Sequence, residues 1–545
     1  MILVLGVVVP LVVTAHYHAL GIPRSDDWSY LVTEFRWVDG HGLSFNHWVS
    51  MNLVGQLLLA APVARLAGRD IGALQVLVAA IGGAGLLAVL ATARRTGVAL
   101  AGAVLLTAGI AAGPLWAPLA VSFMTDIPAF TASALATLVA IPLVRRADAS
   151  DARLTAAVAL AFLGFTIRQY AIVTVIAILV TTWIVRVADR RRRRTVVAAA
   201  AVAALGAVAF WLWWRTIPDV RALSPHLPDA HAASVLASKG AGFVRLAGLL
   251  LLPVLTVSRP GARLRAAWNR SAARTLAVGA VTAAWLAVTA VRVAADLFVG
   301  NYFVHDGVLS DIVLIGPRPD VLPGPVWALI VAAASVAGVV LVVIVADGVS
   351  GIWHRARVRD LAIRDPVTLL LGLLVAGYAA AYVLAMLTGI QVYDRYVLPA
   401  LPAGGILLLK APVPAADPAD APRPAGRVGA AGLVALSGLV ALGLAFTTDS
   451  ASFDGARWRA AEAAVARGWP AREVNGGFEW RNYHRGDKLP VRRQGGRERI
   501  CVTVHVDPHV ARDRIVAVVE SRAPMRGAAR LVAYRTRTSC PEPSP

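Results

Sequence analysis

The chain has 545 residues, of which 58% are hydrophobic and 16% are charged, and its mean hydropathy is +0.66. Soluble domains contain roughly 45–50% apolar and about 25% charged residues, so a soluble fold would leave too much apolar surface in water. The net charge of +21 comes from short basic clusters between apolar runs, which excludes a nucleic-acid-binding module. The composition therefore predicts an α-helical polytopic membrane protein.

The membrane part is predicted from apolar runs, since a spanning helix needs roughly 20 mostly apolar residues. About thirteen runs qualify: 1–19, 71–93, 98–119, 127–144, 153–168, 170–187, 196–214, 241–258, 275–293, 324–346, 367–389, 396–410 and 428–447. We expect a break at Arg168, which interrupts the stretch 153–187. The stretch 49–67 carries Asn52, Gln56 and Pro62 and is predicted to lie in the interface instead of spanning.

The basic clusters set the predicted orientation. They lie in alternate loops, near 94–95, 145–153, 190–194, 259–274, 355–364 and 410–427. Cytoplasmic loops carry the excess of Lys and Arg, so the N-terminus is predicted to be cytoplasmic. The loops near 20–48, 120–126, 215–240, 294–323 and 390–395 and the C-terminal tail then face outward.

Composition changes after residue 447, where the apolar runs end. Alternating apolar residues at 500–506 and 514–519 predict strands, and 455–468 predicts an amphipathic helix. We therefore divide the chain into a multi-spanning membrane domain at 1–447 and a small extracytoplasmic α/β domain at 448–545. The Pro/Ala-rich stretch 411–427 is interpreted as a cytoplasmic linker.

The two cysteines of the chain, Cys501 and Cys540, both lie in this tail. Exported segments keep disulfides, whereas cytosolic segments generally do not. We predict that the two form a disulfide, with two unrelated free thiols as the alternative.

Candidate chemistry begins directly outside the first helix, at Asp26 and Asp27. Neighbouring like charges raise the pKa of one carboxyl, which favours work as a general base. The alternative is a solvated loop with an Asp turn. Two adjacent aspartates can also hold a divalent ion through oxygen ligands, but the sequence shows no complete ligand set, and a metal is left unassigned.

Further candidates lie on the same predicted face. Asp126 precedes a helix, where an N-terminal cap is the competing interpretation. Arg168 stands between apolar runs, beside Tyr170, and a buried guanidinium pairs with a carboxylate or a phosphate. Arg395 and Tyr396 stand at the outer mouth of a late helix.

His47 and Gln56 complete a polar rim on the interfacial segment. Together these residues predict carboxylates and arginines ringed by aromatic rings at the outer membrane surface. Such a site suits the transfer of a sugar from a lipid phosphate, because arginines hold the phosphate, a carboxylate takes the acceptor's proton, and aromatic rings stack on the sugar.

Several motifs in this order resemble the GT-C membrane glycosyltransferases. They are "SDDWSY" (25–30), "NHWVSMNLVGQLLLAAPVARLAG" (46–68), "FMTDIPAF" (123–130), "YDRYVLPALP" (393–402) and the tail stretch 453–484. The chain is similar in particular to the bacterial family-39/83-like members, which include protein O-mannosyltransferases and lipid A aminoarabinose transferases. No MIR-like repeat appears, which argues against a eukaryotic-type protein mannosyltransferase.

The resemblance implies a polyprenyl-phosphate-linked sugar donor and transfer on the outer face with inversion at the anomeric carbon. It implies that Asp26 is the catalytic base, with Asp27 where the family often has Glu. Asp126 corresponds to the family's second-loop acidic position, and Arg395 to a late arginine near the donor phosphate. Asn46-His47-Trp48 stands where the family often has His-Pro-Pro, so acceptor specificity does not transfer.

The expected partners are the lipid bilayer, a lipid-linked sugar donor, and a glycan, lipid or protein of the cell envelope as acceptor, with no nucleic acid. Two other functions stay open at the sequence level. One is a transporter or flippase of a lipid-linked sugar, although such proteins place charges near the midplane and contain internal repeats. The other is a non-catalytic envelope scaffold.

Overall fold

The computed structural model of the chain describes residues 1–146, 149–186, 189–222, 225–292, 297–309, 316–357, 365–410, 429–485, 499–536 and 540. The predicted linker at 411–427 lies outside these residues.

Helices form most of the described chain. In chain order they are α1 (Val4–His16), α2 (Asp27–Val38), α3 (Val54–Ala67), α4 (Ile71–Arg95), α5 (Leu100–Ala112), α6 (Trp116–Ala120), α7 (Asp126–Arg145), α8 (Asp151–Ile167), α9 (Ile172–Val185), α10 (Arg190–Trp214), α11 (Ala230–Leu250), α12 (Leu252–Val257), α13 (Pro260–Arg270), α14 (Ala272–Arg292), α15 (Gly324–Arg357), α16 (Pro366–Leu387), α17 (Leu401–Lys410), α18 (Ala430–Ala466) and α19 (Phe478–His484).

Within the described ranges, eight helices are long and apolar enough to cross a membrane: α4, α7, α10, α11, α14, α15, α16 and α18. Four further apolar helices are shorter, among them α3 in the stretch predicted to lie in the interface. Most side chains of α10 and α14 are exposed on the outside of the bundle, as expected of helices that face lipid. The predicted polytopic helical architecture is confirmed, and the count of 13 spans stays a prediction.

Small residues bring α4 and α7 close together. A Cβ added at Gly82 would lie 2.8 Å from the Ile127 side chain, so a larger residue there would push α7 away. Glycine at a membrane helix interface allows this kind of close backbone approach. The contact fixes the N-terminal end of α7, where Asp126 is the first residue.

The predicted break at Arg168 is present. Arg168 has φ −148° and ψ 131°, an extended conformation that ends α8, and a short 3₁₀ turn at Gln169–Ala171 then leads into α9. The break points the Arg168 side chain into the bundle, where it is buried.

The last membrane helix continues into the tail. Helix α18 runs unbroken from Ala430 to Ala466, through the predicted domain boundary after residue 447, and it includes most of the predicted helix 455–468. Residues 449–458 of α18 are all buried, so this part is enclosed on every side, whereas residues 459–466 alternate between buried and exposed positions, as in an amphipathic helix.

A four-stranded sheet packs against this half of α18. Its strands are β1 (Val474–Asn475), β2 (Val502–Val506), β3 (Ile515–Ala523) and β4 (Gly527–Arg535), in the order β1-β2-β4-β3. Strand β1 is parallel to β2, and β4 pairs antiparallel with both β2 and β3. Strands β2 and β3 coincide with the two predicted ones, and Cys501 and Cys540 form a disulfide at the edge of β2.

Candidate active site

Asp26 stands at the start of α2, directly after Ser25, which has a φ of +60°. The side chain of Asp26 is 21% exposed. Its Oδ1 accepts a hydrogen bond of 2.9 Å from the indole Nε1 of Trp48. Asp26 is thus a carboxylate that is held in place and open to a reactant.

Asp27 has different surroundings, because adjacent residues of a helix do not share a face. It is fully buried, and its two oxygens accept hydrogen bonds from the backbone N–H groups of Arg24 at 2.5 Å and Phe123 at 3.0 Å. Burial raises its pKa well above the usual range. Asp27 therefore ties the first loop to the loop before α7, and its oxygens are engaged with the main chain.

Arg395 lies between two of the predicted carboxylates. Its Nη2 is 3.9 Å from Asp26 Oδ2, and its Nε is 3.5 Å from Asp126 Oδ2. Arg395 is buried, and its Nη1 donates to the side chain of Asn301. The guanidinium thereby joins the first loop, α7 and the loop that precedes α15.

Asp394 fixes the segment that carries Arg395. Its Oδ2 accepts hydrogen bonds from the backbone N–H groups of Tyr302 at 2.8 Å and Phe303 at 2.6 Å, and its Oδ1 accepts from the N–H of Arg395. Burial raises the pKa of Asp394 to about 6, although these donors act in the opposite direction. This clamp brings Asn301 and Tyr302 to the guanidinium of Arg395.

Arg168 contacts the same carboxylate oxygen of Asp126 as Arg395 does. Its Nη1 donates to Asp126 Oδ2 at 2.6 Å and to the Thr125 hydroxyl at 2.7 Å. Asp126 therefore stands between Arg168 and Arg395. We call Asp26, Asp126, Arg168 and Arg395 the site cluster.

The site cluster contains hydrogen-bond donors that have no acceptor among the described residues. Across the described ranges, Arg168 Nη2 and both Nε and Nη2 of Arg395 have no hydrogen-bond partner, and neither has Asp126 Oδ1. Leaving a buried polar group unsatisfied costs about 1–3 kcal/mol, and more for charged groups. Within the described chain, three guanidinium nitrogens without a hydrogen bond, two of which face carboxylates at 3.5 Å and 3.9 Å, could bind an anion with several oxygens.

Tyrosine rings surround the two arginines. The rings of Tyr170 and Tyr396 lie 5.4 Å and 4.8 Å from the guanidinium carbon of Arg168. Those of Tyr302 and Tyr393 lie 5.1 Å and 4.6 Å from that of Arg395. Such cation–π contacts stabilise a buried cation and leave its in-plane N–H groups free for a ligand.

A cavity of about 460 Å³ adjoins the cluster. Asn301 and Tyr393, which both contact Arg395, are part of its wall, together with His226, Asp229 and Lys239. The cavity provides room for a small polar molecule next to the arginine.

Two predicted rim residues take other positions. His47 pairs with Asp219 at 2.8 Å, and its side chain is 45% exposed. Gln56 is buried and donates to the carbonyl of Phe123 at 2.9 Å, so it supports the loop before Asp126. The structure thus brings Asp26, Asp126, Arg168, Tyr170, Arg395 and Tyr396 together, with His47 in a neighbouring loop and Gln56 on α3.

Sequence reasoning missed Asn301, Tyr302 and Asp394 as members of the site. Asp394 stands within the motif that drew attention to Arg395, but the backbone N–H groups that donate to its carboxylate are 91 and 92 residues away in sequence. The aromatic composition of the loop near 294–323 was the one available signal. In the described part of the chain, no group of three or more His, Cys, Asp or Glu side chains is arranged to hold a metal ion.

No family model and no curated protein matches the chain. Two solved structures of ArnT from Cupriavidus metallidurans are similar to it. The one bound to undecaprenyl phosphate has a TM-score of 0.43 and 13% identity, over 99% of this chain and 98% of that chain. The one in the apo state has a TM-score of 0.38 and 14% identity, over 96% of each chain. Similarity this distant assigns neither an activity nor a substrate to the chain.

Proposed function

We propose that the protein is a membrane glycosyltransferase that moves a sugar from a polyprenyl-phosphate donor to an acceptor of the cell envelope on the outer face of the membrane. One observation carries the proposal: two buried arginines with unused N–H groups lie beside a partly exposed carboxylate, Asp26. An anion site next to a general base is the pair of functions that such a transfer requires. The motif resemblance to GT-C glycosyltransferases supports the same reaction.

The arginines hold the donor phosphate. Arg395 Nε and Nη2 and Arg168 Nη2 are the donors for its oxygens, because they make no hydrogen bond within the described residues. Asp126 lies between the two guanidinium groups and keeps them apart at a fixed spacing. As the bond between the anomeric carbon and the phosphate oxygen breaks, negative charge grows on the polyprenyl phosphate, and the arginines stabilise it.

Asp26 activates the acceptor. Its carboxylate takes the proton of an acceptor hydroxyl while the hydroxyl oxygen forms the new bond to the anomeric carbon. Attack from the side opposite the leaving phosphate inverts that carbon. Trp48 holds one oxygen of Asp26 and leaves the other to meet the acceptor.

The aromatic rings bind the sugar, since sugars present apolar faces that pack on aromatic rings. Tyr393 forms part of both the cluster and the adjoining cavity, which makes it the ring nearest to an incoming substrate. The acceptor is an envelope glycan, lipid or protein, and the lipid tail of the donor extends into the bilayer.

The proposal is tested by deleting the gene and comparing envelope lipids, glycans and exported proteins by mass spectrometry. We expect one sugar unit to disappear and the wild-type gene to restore it. Asp26→Asn is expected to lower the rate of restoration about 100-fold or more, in the range of general-base catalysis. Asp39→Asn, at the other end of α2 and paired with Arg69, is the matched control.

If deletion removes the sugar unit and the Asp26→Asn variant restores it as fast as the wild type does, the Asp26 carboxylate is not the general base. An unchanged envelope after deletion would contradict the transferase itself. Expression and membrane insertion of each variant are checked on blots of isolated membranes.

A further inference from the structure

We infer that Phe478 and Glu479, the first two residues of the tail helix α19, act as positioning residues for Asp26. The inference rests on the proposed function, since it assigns these residues a part in the same reaction. Neither residue touches the site cluster directly. Each acts through one neighbour of Asp26.

Phe478 acts through Trp48. Its ring lies 5.3 Å from that of Trp48 and 6.2 Å from that of Trp28. The indole N–H of Trp48 is the group that holds Asp26 Oδ1. Trp48 itself is only half-buried, so the packing of Phe478 against it limits the orientations open to its ring.

Glu479 acts through Ser25. Its Oε1 accepts a hydrogen bond of 3.0 Å from the backbone N–H of Ser25, the residue before Asp26. Ser25 has a φ of +60°, a backbone conformation that a residue with a side chain rarely adopts. The bond from Glu479 helps to hold this conformation, which sets the direction in which α2 and Asp26 begin.

Glu479 is itself held by α18. Its Oε2 accepts from Arg457 Nη1 at 2.6 Å, Arg457 Nη2 donates to Asp454 at 3.2 Å, and Asp454 pairs with Arg24 at 3.1 Å. We call Arg24, Asp454, Arg457 and Glu479 the tail cluster. It is buried, and it connects the first loop to the helix that enters the tail.

These contacts reach Asp26 by two independent routes, one through a side chain and one through the backbone. A tail that served as an anchor alone would need neither the ring of Phe478 on Trp48 nor the bond to Ser25. Displacing a reacting group by about 1 Å can lower a rate about 100-fold, so small displacements of Phe478 or Glu479 are expected to appear in turnover.

The test compares three variants of the full-length protein in the deletion strain. Phe478→Ala removes the ring, Phe478→Tyr keeps a ring of the same shape, and Tyr483→Ala is the matched control. Tyr483 is another half-buried aromatic residue of α19, but its ring packs on Trp458 and not on Trp48. Three quantities are measured: the rate at which the missing sugar unit returns, the binding of undecaprenyl phosphate by the purified protein, and the melting temperature in detergent.

We expect Phe478→Ala to lower the rate about 10-fold or more, with unchanged binding of undecaprenyl phosphate. Phe478→Tyr should recover most of the rate, and Tyr483→Ala should keep it while its melting temperature falls by as much as that of Phe478→Ala. A wild-type rate in Phe478→Ala, or equal losses in Phe478→Ala and Tyr483→Ala, would overturn the positioning role. If the wild-type gene restores no sugar unit, the proposed function fails first and this inference with it.

Discussion

The site cluster and the tail cluster each contain two arginines and two carboxylates, but their hydrogen bonding differs. In the tail cluster, one polar side-chain atom, Arg457 Nε, is buried without a hydrogen-bond partner among the described residues. In the site cluster, four polar side-chain atoms are buried without a hydrogen-bond partner among the described residues, and three of them are arginine nitrogens. Burial of charge is common to both, so what distinguishes the two is unused hydrogen-bonding capacity. A nearly satisfied cluster holds parts of the chain together, whereas the unsatisfied one, under the proposed function, binds a ligand.

The largest effect on stability is expected in the tail cluster. Arg457→Met removes the partner of Glu479 at 2.6 Å and leaves that buried carboxylate without its ion pair. Breaking a buried pair in this way costs about 3–5 kcal/mol. We expect a clear fall in the melting temperature of the protein in detergent, measured by the fluorescence of a thiol-independent dye or by light scattering.

The double variant Arg457→Met/Glu479→Gln sharpens this prediction. The introduced amide keeps an acceptor for the Ser25 N–H but carries no charge, so the double variant should be more stable than Arg457→Met alone. Arg467→Met, at an exposed position just after α18, is the matched control. A double variant less stable than the single one would show that the pair does not account for the loss.

In the site cluster the equivalent change is expected to affect binding more than stability. Arg395→Lys keeps the charge but loses the planar set of donors that matches phosphate oxygens. Because a hydrogen bond to a charged group contributes roughly 1.5–3 kcal/mol, the affinity for undecaprenyl phosphate should fall about 10-fold or more. Binding is measured on the purified protein in nanodiscs.

Arg215→Lys serves as the control, because Arg215 also stacks on an aromatic ring, that of Trp211, but is exposed and outside the cluster. A fall in melting temperature as large as that of Arg457→Met, without loss of binding, would show that the site cluster is structural too. The comparison between the two clusters would then lose its functional meaning.

Much of the site cluster was predictable from the sequence. Charged residues beside apolar runs are rare and costly, so Asp26, Asp126, Arg168 and Arg395 stood out, and the alternation of basic loops put them on one predicted face. The break at Arg168 followed from the same reasoning. What the sequence could not separate was Asp26 from Asp27, because only the folded loop decides which carboxylate receives backbone hydrogen bonds.

The role of the tail was hidden for a different reason. Polarity changes after residue 447, which predicts a separate domain, yet α18 continues through that point and is buried beyond it. The contacts of Glu479 with Ser25 and of Phe478 with Trp48 join residues more than 400 positions apart, and no local sequence pattern predicts them. The number of spans was uncertain for a related reason, since apolar runs do not reveal where helices break.

Another buried carboxylate, outside both clusters, extends the comparison, with the smallest expected effect. Glu34 of α2 is buried, and neither of its oxygens has a hydrogen-bond partner in the portion of the chain that the structure describes. Burial raises its pKa to about 8, and Arg65 offsets only part of that rise. The folded chain thus keeps a proton that the unfolded chain releases above its ordinary pKa of 4.5, so the free energy of unfolding falls as the pH rises from about 5 to about 8.

Glu34→Gln has no proton to lose and should flatten this part of the profile of melting temperature against pH. The control Glu520→Gln, half-exposed on β3, should follow the wild type. If Glu34→Gln kept the wild-type slope, Glu34 would have to be stabilised as an anion in the folded protein, and an unpaired buried carboxylate would no longer differ from the paired ones of the two clusters.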